Sequence, residues 1–365
     1  MIKISDGKIG MREYASIIFL TIGTKYTDTT PSFLFKAGKN AAWMIPLFSF
    51  VIVCACLLLI LSLIKKHQVG LVELVNHVTG KYIGGIIILC FFLYMFLGTV
   101  INGRSYADIV DTMFYPNTPV PVVLFLLLAA SFLIANRGLE TIGRTAWFLL
   151  PAIGFAAVLL LVLTYDRLFW EHLFPIGGPG LKIILKESLT HTSIFGEVLI
   201  LASFFSFIRS YKEFRTASLI GITVTCVTMT VYLIFYVVVF DMPSVENLAY
   251  LHQQLQRIAS VGQVFTHMEA IFLALWLLGS IIHFSIYLYL SAYLLAGVLQ
   301  LKEFEPLILP LSGFAFFFGL LPENAYQSGS FREFLLTLES SLVVFIPILI
   351  WLVDWLKERG SRENS

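Results

Sequence analysis

The chain has 365 residues, of which 58% are hydrophobic and only 13% charged, with a formal net charge of +1. A soluble domain carries about a quarter charged residues, so a globule of this size would lack the polar surface to stay in water. The near-neutral balance also excludes a partner held by bulk charge, nucleic acid in particular.

In chain order, the N-terminus carries Lys3, Lys8 and Arg12 but no short apolar core with a small-residue cleavage site. No signal peptide is therefore expected, and the first apolar run reads as the first span. A spanning helix needs about 20 apolar residues. Ten runs of that kind occur, at 14–32, 41–64, 84–112, 120–135, 142–165, 181–208, 214–240, 264–299, 307–321 and 331–356. The fourth and ninth are short, and the eighth is long enough to tilt. Residues 71–78 read as a short interfacial helix. Residues 244–261 read as an amphipathic one, with Leu248, Leu251, Leu255 and Ile258 at helical spacing. Ser210 with Glu213, and Ser330 with Glu333, read as capping boxes opening the seventh and tenth spans. Residues 358–365 form a polar tail, expected to be disordered. The four cysteines, Cys54, Cys56, Cys90 and Cys226, all lie in apolar runs and read as small core residues rather than disulfide or metal partners.

Lys and Arg favour one set of loops by about two to one, and ten spans return the chain to the side it started from. Both termini are therefore expected in the cytoplasm.

Two spans do not read as plain helices. In the first, Gly23-Thr-Lys-Tyr-Thr-Asp-Thr-Thr-Pro31 follows an apolar stretch, and Gly, β-branched Thr and Pro all oppose a continuing helix. In the sixth, Thr190-His-Thr-Ser-Ile-Phe-Gly-Glu197 interrupts the apolar run. Interruptions in spans one and six of ten are expected of two five-helix halves related by an inverted repeat. The expected fold is thus an all-α polytopic membrane protein of ten transmembrane helices in a 5+5 inverted-repeat transporter fold. A single domain would cover 1–357, with pseudo-repeats at approximately 12–165 and 174–357. Unwound backbone at the midplane frees N–H and C=O groups for a small zwitterion or ion. The alternative is that Gly23 and Gly196 only let helices pack closely.

The candidate ligand site follows from these breaks. Gly23, Thr24, Phe195, Gly196 and Glu197 lie in them. Glu197, an intramembrane carboxylate, reads as a partner for a ligand amine or as a proton carrier, with a structural carboxylate as the alternative. His283 and Tyr287 are four apart and share a helix face, either lining the pocket or packing. Thr99 and Asn102 either contact ligand or bridge helices. Arg104 and Asp108 read as a structural ion pair, and Lys25 and Asp28 as a pair or an outer gate. Arg137, Glu140 and Arg144 read as topology and docking residues. No metal site, cofactor motif or enzyme constellation is recognisable: there is no phosphate loop, HExxH or GxSxG.

Arg137-Gly-Leu-Glu-Thr-Ile-Gly-Arg144 followed by Pro151 resembles a stretch shared by B subunits of spore germinant receptors. So does Phe174-Pro-Ile-Gly-Gly-Pro-Gly-Leu-Lys182 followed by Phe195-Gly-Glu197. The likeness in layout runs from the first span to the tenth. These subunits belong to the amino acid–polyamine–organocation transporter superfamily, whose transporter members often have a Gly-x-Gly turn where this chain has Ile22-Gly-Thr24. The resemblance implies nutrient sensing, with an amino acid as the expected ligand, at the inner membrane of a dormant spore. It also implies a complex with an A subunit and a lipoprotein C subunit. A proton-coupled amino-acid secondary transporter is the competing expectation, and a purely structural assembly subunit the third.

Overall fold

The computed structural model describes residues 7–259 and 268–363. Among them the secondary structure is helical, apart from one isolated bridge that pairs Ile9 with Ile208.

The chain begins with α1 (Met11–Ile22), a 3-10 turn at Gly23–Tyr26, and α2 (Thr30–Gly38). Then come α3 (Met44–His67), α4 (Leu71–Thr79), α5 (Lys81–Met113), α6 (Val120–Ala135) and α7 (Leu139–Leu163). The sixth apolar run is divided into α8 (Leu181–Thr190), a 3-10 turn at Thr192–Ile194, α9 (Glu197–Ile200) and a 3-10 stretch at Leu201–Phe207. The remainder is α10 (Tyr211–Phe240), α11 (Met242–Asn247), α12 (Leu251–Ile258), α13 (Met268–Leu299), α14 (Ile308–Gly319) and α15 (Ala325–Glu363). Six of these, α3, α5, α7, α10, α13 and α15, are long and apolar enough to cross a membrane.

The surface is what a lipid solvent demands. On α7, Phe148, Phe155, Val158 and Val162 are each more than half exposed and fall on one helical face. Such a face is costly against water and suits hydrocarbon or another apolar surface. Inside, α13 packs along α5, α6 and α7, α1 along α10 and α7, and α15 along α3 and α5. Since lipid is as apolar as Leu, side-chain hydrogen bonds join the helices. Ser49 donates to the Ser188 carbonyl at 2.7 Å, Tyr232 to Ala157 at 2.8 Å, and Ser285 to Ser131 at 3.0 Å.

Four sequence expectations change here. Ser210 does cap α10 by accepting from the Glu213 amide at 3.2 Å. The Glu213 carboxylate, however, accepts from Met11 N–H at 3.1 Å, so it caps α1 instead of closing its own box. Ser330 is no cap, because α15 already starts at Ala325, where Asn324 accepts from the Gln327 amide at 2.9 Å. Residues 244–258 form two short helices, since Leu248 is extended between them; residues 260 and 261 lie outside the described set. The polar tail continues α15 as helix to Glu363, carried on by the long helix before it; Asn364 and Ser365 lie outside the described residues.

Candidate functional site

The two divided segments face each other at the centre of the molecule, and their freed backbone groups must be satisfied there. The first is served by side chains. Tyr236 donates to the Tyr26 carbonyl at 2.9 Å, Gln253 to Thr27 at 2.8 Å, and Trp276 to the Thr27 hydroxyl at 2.9 Å. Asp28 accepts from the Thr30 amide at 2.7 Å, which restarts the chain as α2.

The second break is served chiefly by Lys25. Its ammonium lies 2.8 Å from the Ser193 carbonyl, 3.1 Å from Ile194 and 2.6 Å from Glu197 Oε1. All three ammonium hydrogens thus have partners. The pairing expected between Lys25 and Asp28 does not form. The 3-10 turn sends Lys25 across to the second break, and Asp28 instead pairs with Arg332 of α15. Arg332 also donates to the Thr29 hydroxyl at 2.8 Å and to that of Thr30 at 3.0 Å. Both ion pairs are fully buried.

Glu197 Oε1 also accepts from Tyr287 at 2.6 Å, while Oε2 is buried with no hydrogen-bond partner. His283 Nδ1 lies 3.1 Å from the Thr24 hydroxyl and 3.3 Å from the Leu20 carbonyl. A carbonyl only accepts, so the ring proton sits on Nδ1 and leaves Nε2 as a bare, buried acceptor. Tyr106 stacks over Trp276 and His283, with ring centroids 4.9 and 6.1 Å away, and its hydroxyl also lacks a partner. The His283 and Tyr287 rings lie 4.4 Å apart between centroids, which joins Thr24, Glu197, His283 and Tyr287 into one connected cluster.

The other candidates lie around it. Gly23 and Gly196 both have ordinary right-handed helical dihedrals, so neither is needed for a special backbone shape. A Cβ on Gly23 would meet only Phe19, at 3.5 Å, whereas one on Gly196 would overlap Val343 and come within 2.7 Å of the Tyr94 hydroxyl. Close packing thus accounts for Gly196 and not for Gly23. The Phe195 ring turns from the cluster to meet Phe50 edge-on at 6.4 Å. Thr99 returns its hydrogen bond to Met95 at 2.8 Å on its own helix, and Asn102 lies half-buried one turn beyond Gly98. Arg104 and Asp108 pair at 2.8 Å; Arg104 also reaches the Pro322 carbonyl at 2.5 Å, and Ser328 donates to Asp108 at 2.8 Å. This ties α5 to the start of α15.

Sequence reasoning missed Arg332, Glu339, Tyr106 and Gly98. Charge inside an apolar run was the available signal for the first two. Gly98 has none: a Cβ there would stand 2.8 Å from the Tyr287 ring, so its absence lets Tyr287 reach Glu197.

The centre is shut off from the surface: Lys25, Asp28, Glu197, His283 and Arg332 are all buried. A cavity of about 50 Å³ lies beside Gly23 and Thr24, with His252, Gln256 and Trp276 on its wall. A cleft of about 400 Å³ has Thr29, a partner of Arg332, on its wall. A cleft of about 520 Å³ at the opposite end is lined by Glu73, Asn76 and Lys81. Among the described residues, no three His, Cys, Asp or Glu side chains come together as a metal site.

Helical segments divided at a buried polar centre, with a lipid-compatible exterior, define an integral multi-pass membrane protein of transporter-like architecture. Solved structures agree on the fold. A manganese transporter from Eremococcus coleocola superposes with a TM-score of 0.67 at 15% identity, covering 96% of this chain and 83% of that one. The chain belongs to the spore permease family of spore germination proteins, whose model matches residues 9–328. Among Bacillus subtilis relatives, spore germination protein B2 is 22% identical over 98% of both chains. Putative spore germination protein YfkT is 28% identical, but that match spans about half the length of each chain, 53%.

Proposed function

We propose that the protein is a nutrient receptor subunit of the spore inner membrane, which binds a small nutrient, an amino acid by preference, at the centre between the two divided segments. One observation carries this reading: a fully buried polar centre in a spore germination family member retains unpartnered hydrogen-bonding atoms, Glu197 Oε2, His283 Nε2 and the Tyr106 hydroxyl. Unpartnered polar atoms in a buried site each cost free energy, and a ligand that satisfies them recovers it. Gly23, Thr24, Glu197, His283 and Tyr287 would line the pocket, with Phe195, Gly196, Thr99 and Asn102 supporting it.

The closed arrangement would be one of two states. Lys25 stands in for a ligand ammonium on Glu197 and on the two freed carbonyls, and Asp28–Arg332 closes the outer approach. A nutrient would favour a state in which these contacts part, and partner A and lipoprotein C subunits would sense the shift. The ten-span, 5+5 arrangement with both termini in the cytoplasm, and the single domain over 1–357, belong to the same proposal. A proton-coupled amino-acid transporter is the second reading, favoured by the likeness to solved transporters.

The test is germination of spores whose other receptors are deleted, given a panel of amino acids, nucleosides and sugars, alongside uptake into proteoliposomes. A receptor gives nutrient-dependent germination that His283→Ala weakens at least tenfold, with little uptake by the chain alone. Uptake without partners, together with germination indifferent to every nutrient, would overturn it.

A further inference from the structure

Glu339 lies on α15, in the interior of a helix long enough to span the membrane, and is only 6% exposed. Its helix face is the one that meets the second break. Leu336 accepts from the Ser193 hydroxyl at 2.7 Å, Ser340 accepts from the Ser193 amide at 3.0 Å, and Val343 abuts Gly196. Glu339 falls between these positions in the helical repeat and so faces the same centre.

Charge counting singles it out. The buried centre holds two cations, Lys25 and Arg332, and three carboxyl groups, Asp28, Glu197 and Glu339. Lys25 is committed to Glu197 and Arg332 to Asp28. Among the described residues no hydrogen bond or ion pair ends on the Glu339 carboxylate. The groups that bear on it electrostatically are Glu197, Lys25 and Arg332, with the Tyr94 and Tyr287 hydroxyls from α5 and α13. The neighbouring α3 brings no charge over 44–64, and the ionisable groups of α8 lie at the partly or fully exposed Lys182, Lys186 and Glu187. One carboxyl is therefore left over, and a lone carboxylate in a low-dielectric core is not sustained without a compensating positive charge.

We propose that Glu339 is a binding site for one positive charge: its carboxyl group carries a proton while the centre is closed and exchanges it for an ammonium group or a monovalent metal cation when the centre opens. The O–H bond breaks heterolytically, the proton leaves to water, and the incoming cation takes its place, so the charge of the centre is unchanged. The bare acceptors Glu197 Oε2 and His283 Nε2 in the same centre suit a donor-rich cation such as a protonated amine. The inference rests on the proposed ligand site only for where the cation comes from; the proton itself is a property of the resting chain.

The experiment uses infrared difference spectroscopy on the full chain in lipid nanodiscs, with methylammonium chloride, sodium chloride and potassium chloride as probes. At neutral pH a protonated carboxyl band is expected, shifted by D2O, lost in E339Q, moved in E339D and unaltered in E246Q, whose carboxylate lies on the surface. Methylammonium should erode the band and release protons in proportion. Erosion by sodium or potassium as well would assign the site to inorganic cations too, still as a cation-for-proton exchange. A spectrum in which E339Q removes no band, or a band indifferent to all three cations in the wild-type chain, overturns the proposal. The outcome is independent of the germination assay, so failure of the receptor reading and failure of this one are told apart.

Discussion

At the scale of single residues, Lys25 is the side chain that joins the two breaks. It satisfies two freed carbonyls and the only bonded oxygen of Glu197. Lys25→Met strands a buried carboxylate and is expected to lower stability by about 3–5 kcal/mol, since breaking a buried pair leaves the other charge uncompensated. Combining it with Glu197→Gln should recover much of that loss. Thermal denaturation of the two variants in detergent checks both statements, and equal losses would argue against the pair. The two break glycines should differ. Gly196→Ala forces its methyl into Val343 and Tyr94 and is expected to cost about 1–3 kcal/mol. Gly23→Ala makes an ordinary contact and should change stability by less than about 1 kcal/mol. Gly196→Trp is consequently a poor probe of function, because steric overlap alone would disrupt the chain.

The elements around the breaks carry a pH dependence of their own. The short helix α12 clamps the first break, through Gln253 on Thr27 and through His252, whose Nδ1 lies 3.0 Å from the Tyr236 hydroxyl. Burial disfavours the charged ring and pushes the His252 pKa down to about 3. The exposed ring would take a proton near pH 6.5, so the opened clamp binds protons that the docked one cannot. Docking is therefore at full strength above pH 6.5 and weakens as the pH falls towards 3, by about 2 kcal/mol at pH 5. The protection factors of Leu251–Ile258 against hydrogen exchange, each referred to the intrinsic rate at its own pH, should fall accordingly between pH 7 and pH 5. His252→Phe, which keeps a ring and loses the titration, should abolish that fall in protection. At the element scale the sequence was also least reliable about helix starts. Ser330 and Glu333 have the spacing of a capping box that would open a helix at Phe331, yet α15 begins six residues earlier, where Asn324 accepts from the Gln327 amide and Ser328 donates to Asp108. Glu213 has cap chemistry too, but tertiary proximity gives its carboxylate to another helix.

For the whole molecule, the proposed ten-span topology places Lys39 and Lys81 on opposite sides of the membrane, with α3 between them. Cysteines substituted at these two exposed positions should label from opposite sides with an impermeant thiol reagent in oriented vesicles. Labelling of both from one side would sink the arrangement. The family and the transporter-like fold describe a scaffold, and a fold of this kind does not by itself fix a function.

The sequence by itself determined that this is a helical membrane protein and where its helices yield. Apolar length, low charge, and clusters of Gly, Thr and Pro act locally, through desolvation and backbone propensity, and need no neighbour. It also pointed to Glu197, His283 and Tyr287, since a carboxylate or a shared helix face can be read from one segment. Only the tertiary structure decided the partners. That Lys25 serves Glu197 and not Asp28, that Arg332 returns from α15 to pair with Asp28, and that Glu339 is left without a counter-charge depend on which helix faces meet across hundreds of residues. Helix rotation sets those meetings, and rotation is fixed by packing against all neighbours at once rather than by the pattern along any single span.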